Sequence, residues 1–250
     1  MGGPEGPHTL AAEVVATQLA AWFELATFDW SILRVDELDE IPFLDRDGNQ
    51  TGQAEPGPAF ITRAEAGFSW SGGERQLRRL ANPEHISRLI VFDTWTLNCD
   101  RHAPANARTG QMRKPNRDNV FLSEEAPAGQ FLLKAMDHTH CFTCGREWTR
   151  RLSNVDTIQD DRIYGRFPEF TPFLQREIVM QAAADLATMT AETAWQMVHR
   201  IPTEWDVSSN VQTKLVELIV GRAAFVANTI ESRLWRQGQL FRGDEVGDPS

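Results

Sequence analysis

CDRHAPANARTGQMRKPNRDNVFL, residues 99–122, decides how this chain is read. Asp100 closes an apolar run, LIVFDTWTLNC (89–99), a long polar loop follows, and Asn119 then stands against a short β-like run, VFL. Upstream, Asn82-Pro83-Glu84 makes a good helix start with Pro at the first position, so HISRLIVFDTWTLNC reads as one buried helix that delivers Asp100 at its end. Downstream, Val120–Leu122 and Phe131–Met136 read as two short strands joined by SEEAPAGQ, a polar connector with Pro and Gly, and hence as a hairpin. Such a hairpin brings the Asn119 end close to Asp137, which follows the second strand.

Those three side chains suggest a chemistry. Asn and Asp oxygens at neighbouring strand ends are hard ligands suited to Mg2+, which keeps several waters and takes one or two carboxylates plus substrate phosphates. An aspartate nearby, without being a ligand, can orient or deprotonate a hydroxyl nucleophile. Together this is equipment for phosphoryl transfer. Each residue alone has a plainer reading: Asp100 as a solvated helix end, and Asn119 as a turn residue, since Asp-Asn favours turns. Asp137 is harder to dismiss, because burying a carboxylate between an apolar strand and a His-rich turn without a partner is costly.

The runs LIVFDTWTLNCDRH, DNVFL and LLKAMDH resemble the catalytic core of HipA-like kinases and, more distantly, that of the phosphoinositide lipid kinases; the resemblance is best over residues 86–142. It implies an α+β, protein-kinase-like fold with a large, mainly helical C-terminal lobe and a reduced or truncated N-terminal lobe. It implies Asp100 as the catalytic aspartate, Asn119 and Asp137 as the metal positions, ATP and Mg2+ as cofactors, and a protein as the acceptor. Arg101 and His102 complete the catalytic-loop motif, Arg101 as partner to a carboxylate and His102 as phosphate contact or brace. Kinases place the metal Asn five residues after the catalytic Asp. Here that position is Ala105, with Asn106 one further on. Asn119 is preferred because an apolar β-like run follows it, and Asn106 is the fallback. If the first helix corresponds to the family's Lys-pairing helix, Glu13 is its acid at the nucleotide site and the matching Lys is expected upstream of Met1. A nucleotide-binding pseudokinase without transfer is therefore the alternative.

The rest of the chain frames that core. A helix is expected from Thr9 to about Ala26, strands at 28–36 and 59–63 around a polar turn at Asp45 to Gly52, and helices over 171–189, 190–200 and 209–237. We expect one folding unit over 1–250, with 1–80 as the remnant of the first lobe, 81–242 as the catalytic and helical part, and 243–250 as a frayed tail. The 250 residues are 41% hydrophobic and 24% charged, ordinary globular usage. A net charge of -10 argues against a general nucleic-acid-binding surface, while leaving room for a local basic pocket. Arg113 and Lys114 in the loop could attract a phosphorylated substrate, although a solvated loop is the commoner fate of such residues. No apolar run approaches the roughly 20 residues that cross a bilayer, and the start MGGPE lacks the features of a signal peptide, so a cytoplasmic protein is expected. Cys99, Cys141 and Cys144 are odd in number and read as thiols or ligands. With His102, and with His138 and His140 nearby, they offer a competing zinc site in a binding module.

Overall fold

The structure, a computed structural model, describes residues 6–44, 47–105 and 109–236. Asn106, Asp45 and the 243–250 tail lie outside the described residues.

The first helix, α1 (Pro7–Trp22), starts with Pro in its first turn, and Thr9 reaches back to the Gly6 carbonyl instead of capping the start. It ends four residues earlier than expected: Glu24 takes a left-handed φ of 56°, and the Phe23 and Leu25 amides close on the Leu19 and Ala20 carbonyls. Strands β1 (Trp30–Val35), β2 (Pro42–Leu44), β3 (Gln50–Gln53) and β4 (Gly57–Thr62) follow. β1 and β4 pair antiparallel from Trp30↔Thr62 to Val35↔Gly57, and β2–β3 is a separate hairpin between them. β5 (Gly67–Ser69), which no expected strand covers, lies in the 1–80 segment yet pairs with β6 (Val120–Ser123) of the 81–242 segment. β6 in turn pairs with β7 (Leu132–Ala135) from Val120↔Ala135 to Ser123↔Leu132, which is the expected hairpin.

Between β5 and β6 run α2 (Glu74–Leu77), α3 (Glu84–Thr96) and α4 (Cys99–His102). α3 is buried on every side from Ile86 to Thr96, its polar side chains Ser87, Arg88, Asp93, Thr94 and Thr96 included, and packs against β7 and two later helices. The expected single helix into Asp100 is two: Leu97 stops α3 with a left-handed φ of 56°, and α4 begins after Asn98. After β7 come α5 (Val155–Ile158), α6 (Arg176–Leu186), α7 (Ala191–Val198) and α8 (Ser209–Arg236), with short 3₁₀ turns at Pro168–Phe173 and Thr203–Trp205. One hydrophobic cluster runs from Ala11 in α1 through α3, β6, β7 and α6 to Leu234 in α8. Each fully buried Leu, Ile or Phe in it contributes about 1.5–3 kcal/mol. The protein is thus mixed α and β, with small sheets and a mainly helical second half. Among the described residues no helix is long and apolar enough to cross a membrane.

Candidate active site

The turn between α3 and α4 fixes Asp100. Leu97 ends α3 in a left-handed conformation, and the Asn98 Oδ1 accepts the Asp100 N–H at 3.0 Å, an N-cap that starts α4. Arg101, one residue on, has no exposed surface. Its guanidinium forks onto Asp93 of α3, Nε to Oδ2 at 2.9 Å and Nη2 to Oδ1 at 2.8 Å. Its Nη1 donates to the carbonyls of Asn119 at 3.1 Å and Met136 at 2.6 Å. One side chain therefore ties the Asp100 turn to the residue before β6 and to the residue before Asp137. Burial alone would drain charge from both Arg101 and Asp93. Their contact opposes that and holds the guanidinium above its ordinary value, while burial still leaves the Asp93 carboxyl raised. Gly165 closes over this pair: its N–H donates to the His102 carbonyl at 2.9 Å, and a Cβ there would lie 2.3 Å from Asp93 Oδ2.

Asp100 and Asn119, 19 residues apart, meet directly. Asn119 Nδ2 donates to Asp100 Oδ2 at 2.6 Å, and Asn116 Nδ2 bridges the same oxygen at 2.8 Å and Asn119 Oδ1 at 3.2 Å. Asn119 closes a 3₁₀ turn (Arg117–Asn119) just before β6, so it ends a turn and does not open the strand. The long loop returns to the turn where the Asn116 N–H donates to the Arg101 carbonyl at 2.8 Å. Asp137 lies two residues beyond β7 with a left-handed φ of 55°, and its Oδ1 accepts from the Thr139 hydroxyl at 2.6 Å. Glu13 reaches it from α1. The Glu13 carboxylate accepts the His138 N–H and, at 3.3 Å, the Thr17 hydroxyl. Burial first, and the Asp137 charge second, push the Glu13 carboxyl up to about 7.

Glu13 and Asp137 line a cavity of about 530 Å3 with Phe28, Phe60, Ala64 and Phe121. Phe28 and Phe121 meet edge to face at 5.1 Å. The Ala64 backbone makes no hydrogen bond among the described residues, leaving a donor and an acceptor at the cavity edge. The connector holding Ala64 is fixed by a buried ion pair, Lys134 Nζ of β7 to Glu65 at 2.6 and 2.5 Å. Another cavity, lined by Asp36, Glu37 and Glu55, opens at the opposite end of the β1–β4 pair and touches none of these side chains.

Arg101 meets a carboxylate as expected, that of Asp93, and is wholly buried. The half-buried His102 ring packs on Phe167 at 5.3 Å, and burial lowers its pKa. One expectation needs correction, for the zinc set is dispersed. Cys99 is joined to Cys144 in a disulfide; Cys141 is buried, its thiol on Thr96; and His138 is buried against Phe92, with its Nδ1 3.2 Å from Arg101. Among the described residues no group of three or more His, Cys, Asp or Glu is placed to hold a metal. Asp93, Asn116 and the Ala64–Glu65 connector were not singled out from sequence. Asp93 left a signal, an acid inside an otherwise apolar helix, which must find a partner.

A family model named HipA_2 and described as HipA-like kinase matches residues 2–237, nearly the whole chain. No curated protein matches it.

Proposed function

The chain belongs to the HipA-like kinase family, and on that premise we propose that it transfers the γ-phosphoryl group of ATP to a hydroxyl on a protein acceptor held at Asp100. What carries the reading is the Arg101 clasp: one buried guanidinium holds the Asp100 turn, Asn119 and the Asp137 end together, and Asp137 lines an aromatic cavity. A volume of about 530 Å3 is within the range of small-molecule sites, and Phe28, Phe60 and Phe121 suit a planar base. Ala64 offers that base a backbone donor and acceptor.

Asn119 Oδ1 and the Asp137 carboxylate would hold Mg2+, with phosphate oxygens and water completing its shell. They fit it: the donors are hard oxygens, and Glu13 and Asp137 stand as two neighbouring carboxylates whose mutual repulsion a cation relieves. The ion, when bound, supplies charge neutralisation on the phosphates. Asp100 does the rest at the acceptor. Its Oδ2 is taken by Asn116 and Asn119, which leaves Oδ1 to accept the hydroxyl proton. As the acceptor oxygen bonds to phosphorus, the bond from phosphorus to the bridging oxygen breaks and ADP leaves.

A second reading, nucleotide binding without transfer, is favoured by one observation: among the described residues the Glu13 carboxylate meets no lysine. Titration calorimetry with ATP and Mg2+ should show binding that Asp137→Ala weakens more than about tenfold, a loss of about 1.4 kcal/mol. Binding without phosphate transfer to any protein hydroxyl would favour the second reading, and absence of binding would remove both.

A further inference from the structure

The Asp100 turn borders a second cavity, of about 780 Å3, whose floor is Cys99, Ala103 and Cys144 and whose walls carry Arg113, Lys114, Arg146 and Arg162. Its charge is out of keeping with a chain of net charge -10. Several exposed cations elsewhere stand on acids, Arg34 on Glu204, Arg78 on Glu74, Arg176 on Glu231 and Lys214 on Glu217, while others stand on carbonyls or rings, as Arg79 does on the Gly129 carbonyl and Arg200 on Trp30. Here Arg162 is held by Asp160, with Nε at 2.9 and 3.1 Å from its oxygens. The other three meet no carboxylate among the described residues: Arg113 Nη1 lies 3.6 Å from Cys99 Sγ, and Arg146 Nε donates to the Thr143 carbonyl at 3.0 Å. Three cations left unpaired around one cavity repel each other, and an anion entering among them relieves that repulsion.

The cavity is close to the reacting end of the site. Cys99 is bonded in sequence to Asp100, and the Arg113–Asn116 run docks on the turn through the Asn116 N–H. A ligand seated there has its neighbouring groups within a few residues' reach of Asp100. We infer that this cavity receives the anionic group of the acceptor, a carboxylate or a phosphate, so that the hydroxyl presented to Asp100 belongs to an acidic peptide segment. The inference rests on the phosphotransferase reading above and adds the acceptor's class to it. A base-stacking nucleic acid is disfavoured, because the cavity's one aromatic side chain, Tyr164, is buried with its hydroxyl on Asp160.

Three fluorescein-labelled serine peptides test this by anisotropy and by phosphate transfer from ATP: one flanked by Glu, one flanked by Gln, one bearing a neighbouring phosphoserine. The Glu and phosphoserine peptides should bind more than about tenfold tighter than the Gln peptide, and added NaCl should erode that margin. Which of the two binds tighter tells a carboxylate from a phosphate ligand. Arg113→Glu with Lys114→Glu, both exposed, should abolish the margin while leaving the affinity for ATP unchanged. Arg146→Glu, on a different segment, should reduce it independently. Equal binding of Glu and Gln peptides, a margin that survives both charge reversals, or capture of inorganic phosphate alone would overturn the inference. Asp100→Asn separates the two claims, since it should keep the binding margin and lose transfer. Retained transfer in Asp100→Asn would remove Asp100 from the reaction, whereas absence of transfer by the parent would sink the phosphotransferase reading while the anion site stood.

Discussion

Arg101 connects the linings of two cavities, bonding the Met136 carbonyl of one from between Cys99 and Ala103 of the other, and the two are opposite in chemistry. The one beside Asp137 carries Glu13, Asp137 and aromatic rings; the one beside Cys99 carries Arg113, Lys114 and Arg146. The Asp100 turn, held by a fully buried arginine, is a wall of the second and is clasped to the first through the Met136 carbonyl. A second buried arginine sharpens the point. Arg222 of α8 is equally buried but donates to carbonyls, among them Trp95 at 3.2 Å and Asp160 at 2.8 Å, and burial lowers it to about 10. Arg101 has a carboxylate in reach and is held up. Arg222 fastens helix ends through their carbonyls, whereas the Asp93 carboxylate holds Arg101 above its ordinary value in the Asp100 turn.

The largest expected effect comes from removing the wall's fastener. Arg101→Ala leaves Asp93 buried and unpaired, which costs about 3–5 kcal/mol. It should lower the midpoint of urea unfolding and weaken ligand binding in both cavities at once. If only one cavity suffers, the clasp does not join them.

Next in size is a change to the acidic side alone. The ordinary pKa of Glu13 is 4.5 and the folded one about 7. Below the lower value the group is protonated in both states. Between the two values the unfolded chain ionises while the folded one keeps its proton, so stability falls as pH rises, and the loss is complete above the folded pKa. It amounts to about 3 kcal/mol. In metal-free protein, Glu13→Gln should therefore be increasingly more stable than the parent between about pH 5 and pH 8 by thermal unfolding. A difference that does not change with pH would remove Glu13 from the account.

The smallest effect presses on the wall from the side of Tyr164. Gly165 has φ of +71° and sits against Asp93, so Gly165→Ala should destabilise by about 2 kcal/mol. Unfolding by denaturant at unchanged slope would read it directly.

How much of this was legible follows from the range of each interaction. The β6–β7 hairpin and the closeness of Asn119 to Asp137 could be read, because alternation and a turn signal are local. The end of α3 could not: Leu97 takes a left-handed conformation with neither Gly nor Pro to announce it. The Glu65–Lys134 pair spans 69 residues and the Cys99–Cys144 disulfide 45, and no local pattern encodes either. The zinc reading failed for the same reason, since spacing along the chain said nothing of Cys141 turning inward while Cys144 met Cys99. Asp100 was found through a motif, whereas its partner Asn116 was hidden in a loop that looked merely solvated.

The central claim is that Asp100, on the turn that Arg101 clasps to Asn119 and Met136, takes the proton of the acceptor hydroxyl. Phosphate transfer from labelled ATP to an acidic serine peptide, measured for the parent and for Asp100→Ala at matched ATP occupancy, tests it most directly. The account predicts a loss of at least about a hundredfold in transfer with ATP affinity retained. Equal transfer by the two proteins would contradict it.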